Sequence, residues 1–516
     1  MIKKLTQALL ALALVGGLSA CTQRGGNDTP EPNSSTGNTY MSVAISTTQS
    51  DNRLKAAEDD RHNPEGEYIG RDKINDLSVY VISLPTGTVE KQEFANADLT
   101  VNPDNNTKTQ DYRTKAWKVD AGKKEVYVLA NIANTAIKTA LDAATTKSAF
   151  ETAYAKAYDM TDANGVLAAY AQFDNTNDII AMNGKTEKPM DVVGGVTEDQ
   201  AKNGTANCAK VEVRRLVAQT VVTRSDVADN LTIKATRDGA EITLATLSDL
   251  KWDVMQFEKT TYLAPMPTEA GKDATRVDYC MTPSFSFIPS ATVAYTGASD
   301  KYYYRKMTGV AVTTFTRGAK GTNVDNIVSK PMKFVTETTH QYGNKLKDDG
   351  GVAPFTGYRK GNTPYVIVSA KITPSTEAWA TGEEATYATD GDLYLGLNDG
   401  KFYSDKTKAQ EANGNDEKNV ITYKGATCYY VAWLNPDNPG DPITSPVLRN
   451  NIYHVNIKAF KNIGYTGNPF NPGNDDPKDP NDKTPDPNET LYPVDTYMAV
   501  EIIVINWGVH SYDVEF

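Results

Sequence analysis

A chain of 516 residues is long enough for two or three compact units, and 13 Phe, 5 Trp and 28 Tyr within a 39% hydrophobic composition place it among folding rather than disordered sequences. A net charge of −12 with no long basic run excludes non-specific binding to nucleic acid or anionic lipid. Four cysteines exclude a disulfide-dense scaffold, and none of their spacings forms the CxxC clamp of a zinc site.

Residues 1–20 read as an export signal: Lys3 and Lys4, an apolar run from Ala8 to Val15 too short to span a bilayer, then Leu18-Ser19-Ala20 ahead of Cys21. Leu-Ser-Ala-Cys resembles the bacterial lipobox, which makes Cys21 the expected lipidation site and the outer membrane the expected anchor. Cys208, Cys280 and Cys428 remain, an odd number that allows at most one disulfide. No histidine and carboxylate signature surrounds any of them, so they are expected as small buried hydrophobes.

Residues 22–38 lack apolar positions and read as a tether. Tyr40 to Thr48 then reads as a strand with Met41, Val43 and Ile45 on one face, followed by a charged, protease-accessible stretch from Asp51 to Gly66. Strand-like runs cover 77–82, 125–130 and 211–222, while 135–160 places Leu141, Phe150, Tyr154 and Tyr158 at helical spacing. A second strand-rich block covers 250–252, 285–288, 365–368, 393–395, 429–433 and 452–457. Short strands between long polar loops predict a mainly β fold: two sandwich domains, 54–240 and 241–465, divided near 235–250, with a few short helices.

Residues 466–490 carry proline every few positions and are expected as an extended, solvated spacer; their carboxylates lack the EF-hand spacing, so no metal ligand is assigned. The tail, 491–516, contains the apolar run Tyr497 to Trp507, with Met498, Val500, Ile502 and Val504 on one face. Such a strand must be buried or it invites pairing with another chain.

The two ends resemble each other. Residues 39–45 read TYMSVAI and 496–502 read TYMAVEI, with Met-x-Val-x-Ile in one phase, so both would present the same knobs to one groove. Cutting the exposed stretch after Thr48 would free the first strand, and the tail of another copy could fill its seat by β-strand addition. Head-to-tail filling does not close, and it builds fibres.

Signatures of catalysis are missing. No GxSxG, HExxH or GxGxxG appears, and Gly184-Lys185-Thr186 has Ile179 where a phosphate loop needs its first glycine. No catalytic residue and no cofactor is therefore assigned. An alternative reading, a monomeric surface lipoprotein binding glycans, would use Trp252, Trp379 and Lys301-Tyr302-Tyr303-Tyr304 as stacking platforms; packing is the expected role of each.

The lipobox, Ile74-Asn75-Asp76-Leu77-Ser78-Val79-Tyr80-Val81, Trp433-Leu434-Asn435-Pro436, Arg449-Asn450-Asn451-Ile452-Tyr453-His454-Val455-Asn456-Ile457, Asn468-Pro469-Phe470 and the Pro/Asp stretch before Thr496-Tyr497-Met498 together closely resemble the fimbrillin family, in particular the structural subunits of the short (minor) fimbriae of Porphyromonas-type oral bacteria. The resemblance runs along nearly the whole chain. It implies two transthyretin-like β-sandwich domains with a C-terminal donor strand, export to the cell surface as a lipoprotein, and removal of the N-terminal strand by an arginine-specific protease. It further implies polymerisation with other copies by strand exchange, assembly with accessory fimbrial subunits, and adhesion to host proteins or other bacteria in a biofilm. Carried onto this sequence, cleavage falls after Arg53, giving a propeptide of 21–53; Arg61 is a second possible site, and Leu54 to Asp60 are extra beside the family pattern. Cutting at Arg24 would retain the strand. An accessory tip or anchor subunit is the other member type with this fold, and a tail suited to donation argues against both.

Overall fold

The computed structural model describes residues 39–47, 71–103, 110–161, 167–227, 229–237, 239–264, 266, 280–289, 300–304, 307–319, 322–341, 356–434, 447–470, 479–482, 485–491 and 498–506. Two large strand systems follow one another along the chain. The first is a ten-stranded mixed sheet whose main path runs Val89–Ala95, Asp76–Ser83, Gly122–Ala130, Met182–Lys185, Cys208–Arg215, Thr39–Thr47, Gln110–Thr114 and Leu99–Pro103. Its central strands are Val/Leu-rich and buried on both faces, as in Leu77 to Ile82, so they show little of the polar alternation of a half-solvated sheet. Gly184 sits in this sheet because the neighbouring strand passes too close for a side chain: a Cβ there would lie 2.0 Å from the Glu212 carbonyl oxygen.

The chain leaves this sheet at the buried Leu216 and continues as Val217–Ser225 into a second one. There Val217–Ser225 runs parallel to Asn451–Phe460, which in turn pairs antiparallel with Met498–Asn506. A facing sheet of Thr232–Arg237, Ala240–Met255, Tyr365–Pro374 and Thr427–Trp433 closes the second core, where the Tyr430 and Phe460 rings lie 4.6 Å apart. The divide expected near 235–250 falls inside the hairpin of Thr232–Arg237 and Ala240–Met255. Its polar residues are a turn, with Gly239 at φ 80°, rather than a linker. The crossing at Leu216 is fixed by a buried ion pair, Arg215 Nε to Asp72 Oδ1 at 3.0 Å, and by the Arg215 N–H donating to Asn450 Oδ1 at 3.0 Å.

Several local expectations change in the structure. The helical pattern of 135–160 is two helices, Ala136–Asp142 and Lys147–Tyr154, because Thr146 is extended and caps the second by accepting from the Ala149 N–H. Tyr158 belongs to a short strand, Ala157–Asp159, paired with Thr260–Tyr262. Residues 285–288, expected as a strand, form turns instead, with the Phe285 and Phe287 N–H groups donating three residues back. Pro283 and Pro289 fix φ and remove donors on either side.

The largest correction concerns 466–490, which is fastened to the surface where it is described rather than solvated. Asp482 accepts from the Thr466 N–H at 2.6 Å, Asp479 accepts from the Thr422 N–H at 2.9 Å, and Lys360 pairs with Glu489 at 2.7 Å. Phe470 and Leu491 anchor the two ends in an apolar cluster with Tyr365 and Trp433. Proline and aspartate disfavour regular structure, but aspartate also accepts the backbone donors that loops leave unpaired, and that second property decides the outcome here.

Candidate functional site

The leading strand, Thr39–Thr47, lies inside its sheet. It runs parallel to Cys208–Arg215, from Ser42 opposite Cys208 to Thr47 opposite Val213. On its other side it is antiparallel to Gln110–Thr114 and Trp117–Val119. Met41, Val43 and Ile45 are at most 1% exposed, all on the core face. Burying three such side chains contributes roughly 5–9 kcal/mol gross.

A latch closes over the start of this strand. Asn207, held at φ 48°, donates its amide to Thr39 Oγ1 at 3.1 Å, to the Tyr40 carbonyl at 3.0 Å and to the Val193 carbonyl at 2.8 Å. Thr39 Oγ1 donates to the Val193 carbonyl, and Ser42 Oγ to the Ala201 carbonyl, both at 2.6 Å. Ala201 belongs to a short helix, Glu198–Lys202, capped by Thr197 and Gln200 in a reciprocal pair. Neither Asn207 nor this helix stood out in the sequence reading, although Thr197-Glu198-Asp199-Gln200 is a capping-box signature that could have located the helix.

The tail strand, Met498–Asn506, ends the path of the second sheet. Its ladder with Asn451–Phe460 runs from Phe460 opposite Met498 to Asn451 opposite Asn506, interrupted by a bulge between Ile457 and Ala459. Among the described residues its outer edge has no strand neighbour. Met498 is fully buried and Ile502 packs half-buried against the core; Val500 and Val504 stand opposite Ile457 and Tyr453 in the ladder. The two look-alike ends therefore occupy different sheets of one chain. Cys21, Arg53 and Arg61 lie outside the described residues.

The remaining sequence candidates resolve by burial. No disulfide joins Cys208, Cys280 and Cys428, and burial pushes the Cys428 thiol up to about 12. Trp252, Tyr302 and Tyr303 are core residues, which removes them as stacking platforms; Trp379 is also buried, at 8% exposure, beside an open cleft. His340 and His454 are fully buried, and no cluster of three metal-binding side chains occurs among the described residues.

The fimbrillin C-terminal family, described as major fimbrial subunit protein type IV, matches residues 421–513, which include the tail strand and its host, Asn451–Phe460. Over 541 residues the chain is 37% identical to the minor fimbrium subunit Mfa1 of Porphyromonas gingivalis, covering 99% of this chain and 100% of that protein. The chain belongs to the minor-fimbrium fimbrillins. It is therefore a mainly β structural protein of the cell-surface fimbrium and not an enzyme. Among solved structures, a putative cell adhesion protein of Parabacteroides distasonis aligns with this fimbrillin at a TM-score of 0.41 and 13% identity, over 91% of this chain and 99% of that one. A fimbrilin of Porphyromonas gingivalis aligns at 0.39 and 14%, over 92% and 99%.

Proposed function

We propose that this fimbrillin is exported as a lipoprotein acylated at Cys21, and that its leading strand occupies the seat which the tail strand of another copy takes in the filament. Cleavage after Arg53 leaves the leading strand on the lipid side of the cut and residues 54–516 as the mature subunit. The severed strand does not simply fall out, because three buried side chains and ladders on both edges hold it. An incoming tail must displace it progressively, gaining each pocket as the old strand gives it up. Head-to-tail repetition gives a shaft, accessory fimbrial subunits terminate it, and host proteins or other bacteria are the adhesion targets.

One observation carries this reading. In the leading strand Ala44 stands opposite Arg113 on one side and opposite Lys210 on the other. Aligning TYMSVAI with TYMAVEI puts Glu501 in the place of Ala44, between those two cations, while Met498, Val500 and Ile502 take the places of Met41, Val43 and Ile45. Directly opposite residues share a face, and opposite charges there contribute about 0.2–1 kcal/mol per pair. The seat thus complements the tail's charge better than it complements its resident.

Electron microscopy of protease-treated protein tests the exchange. The pair Arg113→Glu with Lys210→Glu should yield few or short filaments, and adding Glu501→Lys should restore them; filaments of undiminished length from the double variant would sink the proposal. An Arg53→Ala precursor should keep its leading strand and stay monomeric. Normal polymerisation of that precursor would move the cleavage elsewhere, with Arg61 the next site to test.

A further inference from the structure

The second strand system carries a cleft of about 770 Å³ that the proposed polymerisation leaves unused. Its floor is where Ala240–Met255 pairs with Tyr365–Pro374, and the register of that ladder jumps between Ser248 and Lys251. The bulge brings Asp249 to the rim. One wall is aromatic: Trp379 and Tyr387, ring centroids 5.0 Å apart, with Trp379 backed by Phe402 and the Tyr387 hydroxyl donating to the Gly391 carbonyl at 3.1 Å.

Left-handed backbone shapes part of this cleft. Eleven non-glycine residues have positive φ among those described, and three of them line it: Asp249 at 46°, Asp390 at 62° and Ala426 at 51°. Alanine in the left-handed region is costly, because nothing in its side chain compensates the steric penalty. Strained positions that persist together mark a surface whose shape is itself selected.

We propose that this cleft is a binding site for a neutral sugar, a pyranose unit of a glycan. The polar groups around the aromatic wall are paired by charge: Asp390 with Lys371 at 3.3 Å, and Asp249 with Lys251 at 3.0 Å. Lys371 also donates to the Gly425 carbonyl at 2.6 Å, which fixes its ammonium beside the cleft. Glu384 accepts from Thr376 Oγ1 at 3.1 Å and has no ion pair among the described residues. The lining carries three carboxylates, Asp249, Asp390 and Glu384, against one ammonium, Lys371, so acceptors predominate. That suits sugar hydroxyl groups, which donate to carboxylate acceptors, and disfavours an anion. The half-buried Tyr387 ring, backed by the buried Trp379, supplies what the C–H side of a pyranose ring packs against. The volume lies within the range of small-molecule sites.

The site is assembled entirely from residues 248–426 of one chain, so it does not depend on strand exchange, and a polymerisation-deficient monomer should bind as well as a filament. Saturation-transfer NMR on the full mature chain, with the methyl pyranosides of galactose, mannose and N-acetylglucosamine at millimolar concentration, tests it. Transfer to at least one sugar is expected, with at least a tenfold loss of affinity in Tyr387→Ala and retention in Tyr387→Phe. Glu384→Gln, at an exposed position, should weaken binding without affecting folding. No transfer to any of the three sugars overturns the proposal. Unchanged binding by a folded Tyr387→Ala variant also overturns it, as does a cleft that takes an arginine-rich peptide and no sugar.

Discussion

The leading strand and the tail strand share five residues in seven and differ in almost everything that holds them. The first is interior, laddered on both edges, with a latch of Asn207 and Glu198–Lys202 over its start. The second is terminal among the described residues, laddered there on one edge, with a bulge in its ladder. An interior strand leaves only if something replaces it on both sides, whereas an edge strand can peel away from a single neighbour. That asymmetry is what the proposed exchange requires: a seated strand to be displaced and a looser one to displace it.

The contrast is open to attack at several points. Val43→Asp in the precursor places a carboxylate in the first core and should cost on the order of 4 kcal/mol or more, losing the cooperative thermal transition. Val500→Asp with Ile502→Asp should leave that transition nearly in place while abolishing filaments; equal damage from both would remove the distinction between the strands.

Acid should act with opposite sign at His454 in the second sheet and at Asp178 in the small pair Ala171–Phe173 and Asp178–Ile180. Burial pushes the His454 imidazole, on the host strand of the tail, down to about 3. Its unfolded form takes a proton near pH 6.5, so this contribution is present above pH 6.5 and is lost as pH falls toward 3. Burial raises Asp178 to about 6, against the attraction of Arg71. The folded state therefore holds a proton between about 3.8 and 6 that the unfolded state has released, and stability at this site increases as pH falls through that window. Denaturant titrations of His454→Gln and Asp178→Asn, each referenced to the parent chain at pH 7 and pH 4.5, should show the parent losing ground to the first variant on acidification and gaining on the second. The effects should be on the order of a few kcal/mol.

Asn207→Ala removes the latch amide and should cost about 1–3 kcal/mol. Hydrogen exchange should accelerate over 39–47 while the tail strand is unaffected; equal acceleration in both would mean that the latch supports the whole fold. The smallest effect is expected from Asp482→Ala, which frees one staple of 466–490. It should raise proteolytic sensitivity there with a change of stability within about 0.5 kcal/mol. That staple also limits the tail's reach. If Leu491 stays seated, seven further residues lead to Met498, a span of about 23–25 Å when extended.

Much of this was legible in the residues themselves. Alternation placed Met41, Val43 and Ile45 on one face because side chains in a strand obey a fixed period. Runs such as 77–82 and 452–457 announced strands by the same rule, and the signal and tail stood out by composition. What the residues could not decide was who sits beside whom. The Thr39–Thr47 strand is interior because Cys208 to Val213, far along the chain, returns parallel to it. The proline-rich stretch is fastened because Thr422, Thr466 and Lys360 present donors that its acceptors meet. The aromatic wall at Trp379 faces a cleft because a bulge and three left-handed residues shape the opposite rim. Local period is a property of the backbone and can be read one residue at a time. Edges, seats and clefts are properties of neighbours brought together across hundreds of residues, and only the folded chain supplies them.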